Sequence, residues 1–414
     1  MTVLPPAPVG DRDAVEAWVA RELGDLAFEG ADGIRGSTSF AGGQSAADAA
    51  LDALDVAGYA RRRSEVWPEG RRGASKLSPY VRHGFVTLPT AWDAVQDAPA
   101  RDRARFRDEL LWQEYARHLY ARVGTRFARP LRREPATAAE RWPSPWSRRM
   151  ACMALTTEEL QRDGWLVNQT RMWMASQWTI RGGAPWREGE DAFFRHLLDG
   201  SRAANRLGWQ WTVGSGTGRP YGFSRWQVQK RAPGLCDRCE LRDACPVQEW
   251  PDAQAGPPVE PPPTLREDPD PDATGGPVAV ERDGEPEAVW LTAESLGDAD
   301  PALSARPELP VLFVLDRPRL ARWRLSGKRL VFLAEALGDL AARRPLEVHL
   351  GDPGEVLRGR RLAATWTPVP GWRALATRLE VVERHPWPWL ARPHGRNAAS
   401  FSAWRKRLPP EFRR

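Results

Sequence analysis

Four cysteines are the residues of this chain whose spacing points most directly to chemistry. Cys236, Cys239 and Cys245 crowd into one short stretch that ends with Pro246, whereas Cys152 stands far upstream. One distant thiolate and three clustered ones, with a proline after the last, fit a [4Fe–4S] cluster. A zinc ion held by all four thiolates is the alternative, and a site without metal is the third interpretation. So few cysteines do not make a disulfide framework.

Tryptophan is unusually frequent, with 21 residues in the chain. Trp209 and Trp211 lie between a turn that begins at Asp199 and a glycine-rich stretch over 214–218. An indole ring stacks on an exposed nucleobase with roughly 1–3 kcal/mol per base, and it can also be oxidised. This pattern suggests a stacking platform and a path for electrons, although a tryptophan-rich core is the plain alternative.

Polar side chains recur at helical spacing around these tryptophans. Asn168 and Met172 are four residues apart and so share a helix face, with Arg171 beside them. Arg171 can pair with Asp199, which would hold one charge of each sign near a bound ring.

Two further segments carry candidate binding groups. Glu109 and Trp112 are three residues apart and share a face. Residues 73–79 open a helical stretch with two serines, which suits a phosphate cradle built from hydroxyls and helix N-terminal N–H groups. A simple N-capping loop is the alternative.

Length and charge bound the kind of protein. A chain of 414 residues with 42% hydrophobic residues suits two globular domains. No stretch is long and apolar enough to span a membrane, and the first residues have no signal-peptide pattern, so we expect a cytoplasmic protein without membrane association. Residues 251–290 carry a net charge of −8 within a chain of +6, so the remainder is +14 and suits a polyanion partner.

The elements that must position these residues divide the chain in three. Residues 1–250 show helical periodicity, for example over 46–60, 106–123, 165–180 and 192–198. Residues 251–287 are rich in proline, glycine and acid, which predicts an interdomain linker. In residues 288–414 the pattern alternates: strands over 288–292, 309–315 and 346–350, with a helix over 329–342. This rhythm predicts a small doubly wound α/β domain with a parallel sheet.

The order of these motifs resembles the FAD-binding domain of DNA photolyases and cryptochromes over residues 45–230. The matching residues are Tyr59, 75–79 (Ser-Lys-Leu-Ser-Pro), 109–114 (Glu-Leu-Leu-Trp-Gln-Glu), 164–172, 186–189 (Trp-Arg-Glu-Gly), Asp199, Gly200, Asn205 and 208–211 (Gly-Trp-Gln-Trp). The fold class expected is therefore an all-α FAD-binding domain followed by a small parallel α/β domain.

The resemblance implies a set of site residues. FAD would lie against Tyr59, Ser75, Leu77, Ser78, Arg171, Asp199 and Asn205, with Asn205 near the reactive flavin nitrogen. A flipped pyrimidine dimer would meet Glu109, Trp112, Asn168, Met172 and Trp211, while DNA would also contact Arg63 and Gln169. Trp186 and Trp209 match two members of the family's electron-transfer relay, and no third member can be placed.

The chain also departs from the family pattern. Ser201 stands where a second Asp is usual, Ala74 where Thr is common, and Gln169 where Arg is usual. The segment 130–160 is shorter than the family norm. The branch that repairs (6-4) photoproducts tends to place His near positions 168 and 172, and its absence here favours cyclobutane dimers.

Residues 288–414 resemble the photolyase α/β domain, which in that family comes first. The chain therefore resembles a circular permutant, with a shortened α/β domain at its end and the antenna pigment left open. The cysteine pattern also resembles the iron–sulfur branch of bacterial photolyases.

These resemblances imply a monomeric flavoprotein that repairs cyclobutane pyrimidine dimers in UV-damaged DNA by light-driven electron transfer. A cryptochrome-type photosensor that signals to a protein partner is the alternative. A DNA-binding relative without light chemistry is the third interpretation.

Overall fold

A computed structural model describes residues 2–138 and 140–413 of the chain. Helices dominate the first part, which we call the helical region. Its helices are α1 (Arg12–Leu23), α2 (Gln44–Asp52), α3 (Tyr59–Arg62), α4 (Ser78–Arg82), α5 (Leu88–Asp93), α6 (Ala100–Val123), α7 (Ala151–Asp163), α8 (Asn168–Ser176), α9 (Trp186–His196), α10 (Arg202–Thr212) and α11 (Arg225–Arg231).

The second part, which we call the sheet region, alternates strands and helices. The strands of the sheet are β1 (Thr2–Val3), β2 (Glu281–Arg282), β3 (Ala288–Leu291), β4 (Val311–Asp316), β5 (Leu346–Gly351), β6 (Leu362–Thr365) and β7 (Val381–His385). The helices are α12 (Pro271–Gly275), α13 (Pro301–Ala305), α14 (Arg317–Trp323), α15 (Gly327–Ala341), α16 (Pro353–Val356), α17 (Pro370–Ala376) and α18 (Phe401–Arg405).

Helix α6 illustrates why the sequence folds as predicted in the helical region. Phe106, Leu110, Tyr115 and Leu119 recur at intervals of four or five residues and are all buried. The helix ends at Gly124, whose φ of 65° suits glycine. The helix predicted over 106–123 is confirmed, although it begins earlier, at Ala100.

The continuous helix predicted over 46–60 is wrong. Helix α2 ends at Asp52 and α3 begins only at Tyr59. Gly58 has a φ of 77°, a left-handed conformation that a helix interior does not allow, so the chain turns there. Apolar spacing alone could not reveal this break.

The strand order is β1-β5-β4-β3-β6-β7-β2. The five inner strands run parallel, with Val311 opposite Leu346 and Val289 opposite Val311. Short antiparallel strands flank them: β1 pairs with β5 and β2 with β7. The predicted fold class, a helical domain followed by a parallel α/β sheet, is confirmed.

One apolar core joins the two regions. Val289 and Phe313 of the sheet and Phe332 of α15 belong to the same buried cluster as Val19 of α1 and Tyr80 of α4. Tyr80 lies 6.1 Å from Phe332, measured between ring centroids. The residues after β7 return to the helical region, where Trp404 donates its indole N–H to His118 of α6 at 2.8 Å.

Residues 251–287, predicted to be a linker, contain α12 and β2. Leu265 is buried, and Asp268 forms an ion pair of 3.2 Å with Arg122. The segment therefore lies against the folded body, and the division of the chain at 251–287 stays a prediction.

Among the helices described, none combines the length and the hydropathy that a membrane crossing requires.

Candidate functional site

A cavity of about 1010 Å³ lies between the helical region and the sheet region, and we call it the junction cavity. Its walls come from α3, α4, α6, α8 and α10 and from the carboxyl ends of β3 and β4. Its volume is at the upper end of what ligand pockets enclose, so it can accommodate a large cofactor together with part of a substrate.

The residues predicted to bind flavin converge on this cavity. Its lining includes Tyr59, Ser75, Leu77, Ser78, Arg171, Asp199 and Asn205. These residues come from four different helices and two loops, which only the tertiary fold brings together.

The predicted phosphate cradle lies where α4 begins. Lys76 adopts a φ of 57°, so the loop turns sharply before Leu77 and Ser78. The Ser78 hydroxyl accepts a hydrogen bond from the Trp165 indole at 3.0 Å. Tyr59 is buried nearby, and its burial raises the pKa of its hydroxyl, which keeps it a neutral hydrogen-bonding group.

Arg171 and Asp199 form the ion pair that the sequence suggested. Two parallel hydrogen bonds join them, Nη1 to Oδ1 at 3.0 Å and Nη2 to Oδ2 at 2.7 Å. Arg171 also donates its Nε to the main-chain oxygen of Leu166, so its side chain is fixed at both ends. This bidentate geometry offers a rigid polar edge to a planar ligand.

Asn205 is held by a residue that the sequence analysis missed. Its side-chain amide donates to the main-chain oxygen of Glu190 at 2.9 Å and to the Glu190 carboxylate at 3.2 Å. The Glu190 carboxylate is fully buried and also receives Arg202 at 2.7 Å and Arg206 at 3.4 Å. Glu190 follows directly on the Trp-Arg-Glu-Gly motif at 186–189, which was the available signal.

Ser201 replaces the second acid of the family pattern and has a structural role here. Its Oγ accepts from Ala204 N at 3.0 Å and so caps the N-terminus of α10. The helix that carries Asn205 is thus capped at its N-terminus although serine replaces the usual aspartate.

The wall predicted to meet the substrate also faces the junction cavity: Glu109, Trp112, Asn168, Met172 and Trp211, together with Arg63 and Gln169, belong to its lining. Trp112 stacks on Phe401 of α18, with centroids 3.9 Å apart and planes within 8°. Trp211 is 37% exposed and leans on Tyr221. An exposed indole face at a cavity mouth can receive a nucleobase.

Glu109 lies between two cations. Its Oε1 is 3.2 Å from Arg63 Nη1 and 3.1 Å from Arg105 Nη2. Burial nevertheless raises the pKa of Glu109, because the two guanidinium groups offset only part of the desolvation. Arg63, predicted to contact DNA, is thus paired with Glu109 in this structure.

Gln169 behaves differently from the other predicted DNA-contacting residue. It is 5% exposed, and its amide donates to the Tyr221 hydroxyl at 2.7 Å. Its side chain is therefore buried inside the protein, where it lines the cavity, and is not exposed on the outer surface.

Of the two predicted relay tryptophans, Trp209 lines the junction cavity and Trp186 is buried behind it. From Trp209 a series of rings leads outward: Phe193 at 5.2 Å, then Trp146 at 5.8 Å, then the half-buried Trp178 at 4.6 Å. Trp146 lies in the segment 130–160, which is shorter than the family norm, so the motifs did not predict this residue.

The four cysteines line one small second cavity, which we call the cysteine cavity. Cys152 is buried at the start of α7, and burial together with the nearby sulfurs of Cys236, Cys239 and Cys245 raises the pKa of its thiol to about 12. Such a thiol gains strongly from a metal that stabilises the thiolate. Within residues 2–138 and 140–413, no three His, Cys, Asp or Glu side chains lie close enough to hold a single metal ion.

Comparison with known proteins adds the following findings. The family described as "FAD binding domain of DNA photolyase" matches residues 106–231. A deoxyribodipyrimidine photo-lyase of Synechococcus sp. is 32% identical over 166 residues, which are 35% of this chain and 33% of that protein. Its counterpart from Thermus thermophilus is 33% identical over 169 residues, 38% of this chain and 39% of that protein. The chain thus spans between a third and two fifths of these curated relatives.

Two solved structures overlap with the chain less closely. A bacterial class III photolyase from Agrobacterium tumefaciens is 24% identical with a TM-score of 0.37, covering 45% of this chain and 42% of that one. An archaeal photolyase from Sulfolobus tokodaii is 19% identical with a TM-score of 0.39, covering 51% and 50%.

The sequence family matches α6 to α11, the helices that supply the Arg171–Asp199 pair, Asn205 and Glu109 to the junction cavity. Residues 106–231 are therefore similar to the FAD-binding domain of DNA photolyases.

Proposed function

We propose that this protein repairs cyclobutane pyrimidine dimers in UV-damaged DNA, using bound FAD and blue light. The observation that carries this proposal is the lining of one cavity, to which the Arg171–Asp199 pair and Asn205 contribute together with Glu109, Trp112 and Trp211. A donor and an acceptor bound in the same cavity would be close enough for direct electron transfer.

The junction cavity fits FAD on three grounds. Its volume suits a large cofactor, Arg171 and Asp199 offer paired hydrogen-bonding groups to a ring edge, and the loop over 75–78 offers hydroxyl and main-chain groups to phosphate. Bound in its reduced form and excited by light, FAD would supply light-driven electron transfer to the dimer, with the electron returned once the two carbon–carbon bonds are split. The overall reaction therefore consumes no reductant.

The chain's own residues bind and orient the dimer. Trp112 and Trp211 present ring faces for the flipped bases, and Asn168 and Met172 complete the wall between them. Glu109 lines the same cavity and would hydrogen-bond the pyrimidine of the dimer. Flipping the lesion out of the helix costs a few kcal/mol, and less for an unpaired base, which favours damaged sites.

DNA is the partner that the charge distribution supports. The chain carries +6 overall, although residues 251–290 alone contribute −8, so the other residues carry a net charge of +14. Neutralising phosphates releases counterions and supplies most of the sequence-independent affinity for DNA.

We further infer that the cysteine cavity holds a [4Fe–4S] cluster through Cys152, Cys236, Cys239 and Cys245. All four cysteines line one small cavity, which supports this ligand set. A cluster spaces its four ligands further apart than a single zinc ion does, since its irons and sulfides lie between them.

The order of the two regions is also a proposal. The matched family segment, 106–231, precedes the parallel sheet in this chain. We infer a circular permutation of the photolyase arrangement, with residues 251–287 forming the new connection and 288–414 a shortened α/β domain.

The experiment that tests the proposed function starts with the absorption spectrum of the aerobically purified protein. Flavin bands are expected, followed by light-dependent loss of thymine dimers from irradiated DNA after photoreduction under blue light. Dark incubation of the same mixture is the control. Flavin without dimer loss would contradict the repair function and favour a photosensor, whereas a protein without flavin would favour a DNA-binding relative that lacks light chemistry.

A further inference from the structure

The turn between α9 and α10, which carries Asp199, is held from two sides. Arg329 of α15, in the sheet region, donates Nη2 to the main-chain oxygen of Gly200 at 3.2 Å and Nη1 to that of Phe194. Arg82 of α4 donates Nε to the same Gly200 oxygen at 3.1 Å. Two guanidinium groups therefore donate to the carbonyl oxygen of Gly200, the residue that follows Asp199.

Arg329 differs from the other cations near this turn. Arg82 pairs with Glu294, and Arg171 pairs with Asp199. Arg329 is buried, at 7% exposure, and yet no ion pair formed by the described residues includes it. Phe194 offers it a ring face at 4.9 Å, and burial lowers its pKa to about 9. Burying a cation without a carboxylate partner costs free energy, so the presence of Arg329 at this position suggests a role at the cavity.

The geometry leaves the turn little freedom. A methyl group added at Gly200 would lie 3.1 Å from Nη1 of Arg329 and 2.8 Å from the Leu197 oxygen. The peptide is thus packed directly against the guanidinium. Because Asp199 is the preceding residue, the position of its carboxylate depends on the same contact.

We propose that Arg329 is a positioning residue for the flavin site: it fixes the Asp199–Gly200 turn against Arg171 and supplies an unpaired positive charge at the wall of the junction cavity. This inference rests on the proposed flavin site. A surplus positive charge near a bound redox ligand favours the more negatively charged form of that ligand. The sheet region would then contribute directly to flavin chemistry.

Three variants separate the hydrogen bonds of Arg329 from its charge. Arg329→Gln keeps a donor and removes the charge, and Arg329→Lys keeps the charge and loses the two-pronged geometry. Arg344→Gln is the matched control, because Arg344 also donates to two main-chain oxygens, those of Leu303 and Arg306, without an ion pair among the described residues and away from the cavity.

The measurements are the FAD dissociation constant and the midpoint potential of the bound flavin. We expect Arg329→Gln to weaken FAD binding about tenfold, as loss of a charged hydrogen bond does, and to make the midpoint potential more negative. Arg329→Lys should weaken FAD binding but keep the wild-type potential. Arg344→Gln should match the wild type in both quantities, even if its thermal stability falls.

Each outcome is decisive. Wild-type affinity and potential in Arg329→Gln would overturn the inference, as would an equal change in Arg344→Gln. If Arg329→Gln does not fold, Arg329→Lys decides alone, because wild-type FAD affinity in that variant would exclude the positioning role. A wild-type protein that binds no FAD would instead contradict the proposed function.

Discussion

Asn205 of α10 is hydrogen-bonded to Glu190 of α9, with the Asn205 amide 2.9 Å from the Glu190 main-chain oxygen and 3.2 Å from its carboxylate. The same carboxylate receives two arginines and is fully buried. Glu190 therefore both neutralises these cations and orients the Asn205 amide, which lines the junction cavity.

Replacing Glu190 by Gln should destabilise the protein by about 3 kcal/mol or more, because it removes the carboxylate that pairs with the buried Arg206 and leaves Arg202 paired with Asp191 alone. Denaturant unfolding with FAD release measures this. The control is Glu188→Gln on the same helix, where the exposed pair with Arg141 should contribute less than about 1 kcal/mol. Equal losses in the two variants would contradict the structural role of Glu190.

Replacing Glu109 by Gln should lower the yield of dimer repair by roughly three- to tenfold, the range expected when one hydrogen bond to the substrate is weakened. FAD content should not change. The control is Asp108→Asn, one residue earlier on α6, whose carboxylate pairs with Arg105 and does not line the junction cavity. Undiminished repair by Glu109→Gln would remove Glu109 from the substrate site.

Replacing Trp146 by Phe should slow photoreduction of the flavin, because phenylalanine is much harder to oxidise and Trp146 lies between Phe193 and Trp178 in the ring series. Flash photolysis of the oxidised protein with an external reductant measures the rate. Trp389→Phe, in the sheet region, is the control and should photoreduce at the wild-type rate. Normal kinetics in Trp146→Phe would place the electron path elsewhere.

Replacing Cys152 by Ser should remove iron from the purified protein and lower its thermal stability, since a serine oxygen is a poor ligand for a cluster. Metal analysis for iron and zinc on the same sample separates the two metals. Met150→Leu, which changes the wall of the cysteine cavity without removing a thiol, should keep the metal. Full iron content in Cys152→Ser would exclude Cys152 as a ligand.

Glu114 predicts a pH dependence of stability. It is buried on α6, it accepts a hydrogen bond from Ala391 N at 3.0 Å, and burial raises its pKa to about 7. Because its pKa is higher in the folded protein than in the unfolded chain, the folded state binds the proton more tightly. Its contribution to stability is therefore most favourable below about pH 4.5 and is lost as the pH rises through 7.

Glu114→Gln should remove this dependence. The difference in unfolding free energy between the variant and the wild type should change by roughly 3 kcal/mol in favour of the variant between pH 4.5 and pH 8. Denaturant unfolding over this range measures it, with the exposed Glu158→Gln on α7 as the control. A difference that does not vary with pH would mean that Glu114 titrates normally.

Much of the fold was accessible from local patterns. Apolar spacing located α6, and short apolar runs located β3, β4 and β5, because these segments bury one face or both faces along their whole length. The cavity-lining residues were found through motifs, in which identity and spacing together carry information. Their function in this chain stays a prediction.

What sequence reasoning missed depends on contacts between distant segments. The burial of Glu190 depends on Arg202 and Arg206 of the next helix, and the adjacent motif at 186–189 was its only local signal. Trp146 contacts the rings of Trp178, which follows α8, and Phe193 on α9, and Arg329 contacts Gly200 across the boundary between the two regions. The break at Gly58 requires a backbone conformation that hydrophobic periodicity does not report.

The pairing of Thr2–Val3 with His349 and Leu350 has a consequence for how the molecule is made. On the ribosome, the first strand emerges long before the strand it pairs with has been synthesised. The nascent helices therefore lack their tertiary contacts, for example α1 with α15, until α15 and β5 have been synthesised. Such non-local contacts slow folding and lengthen the time during which apolar surface is exposed to aggregation. We expect assembly of the sheet to be the late step in the maturation of this protein.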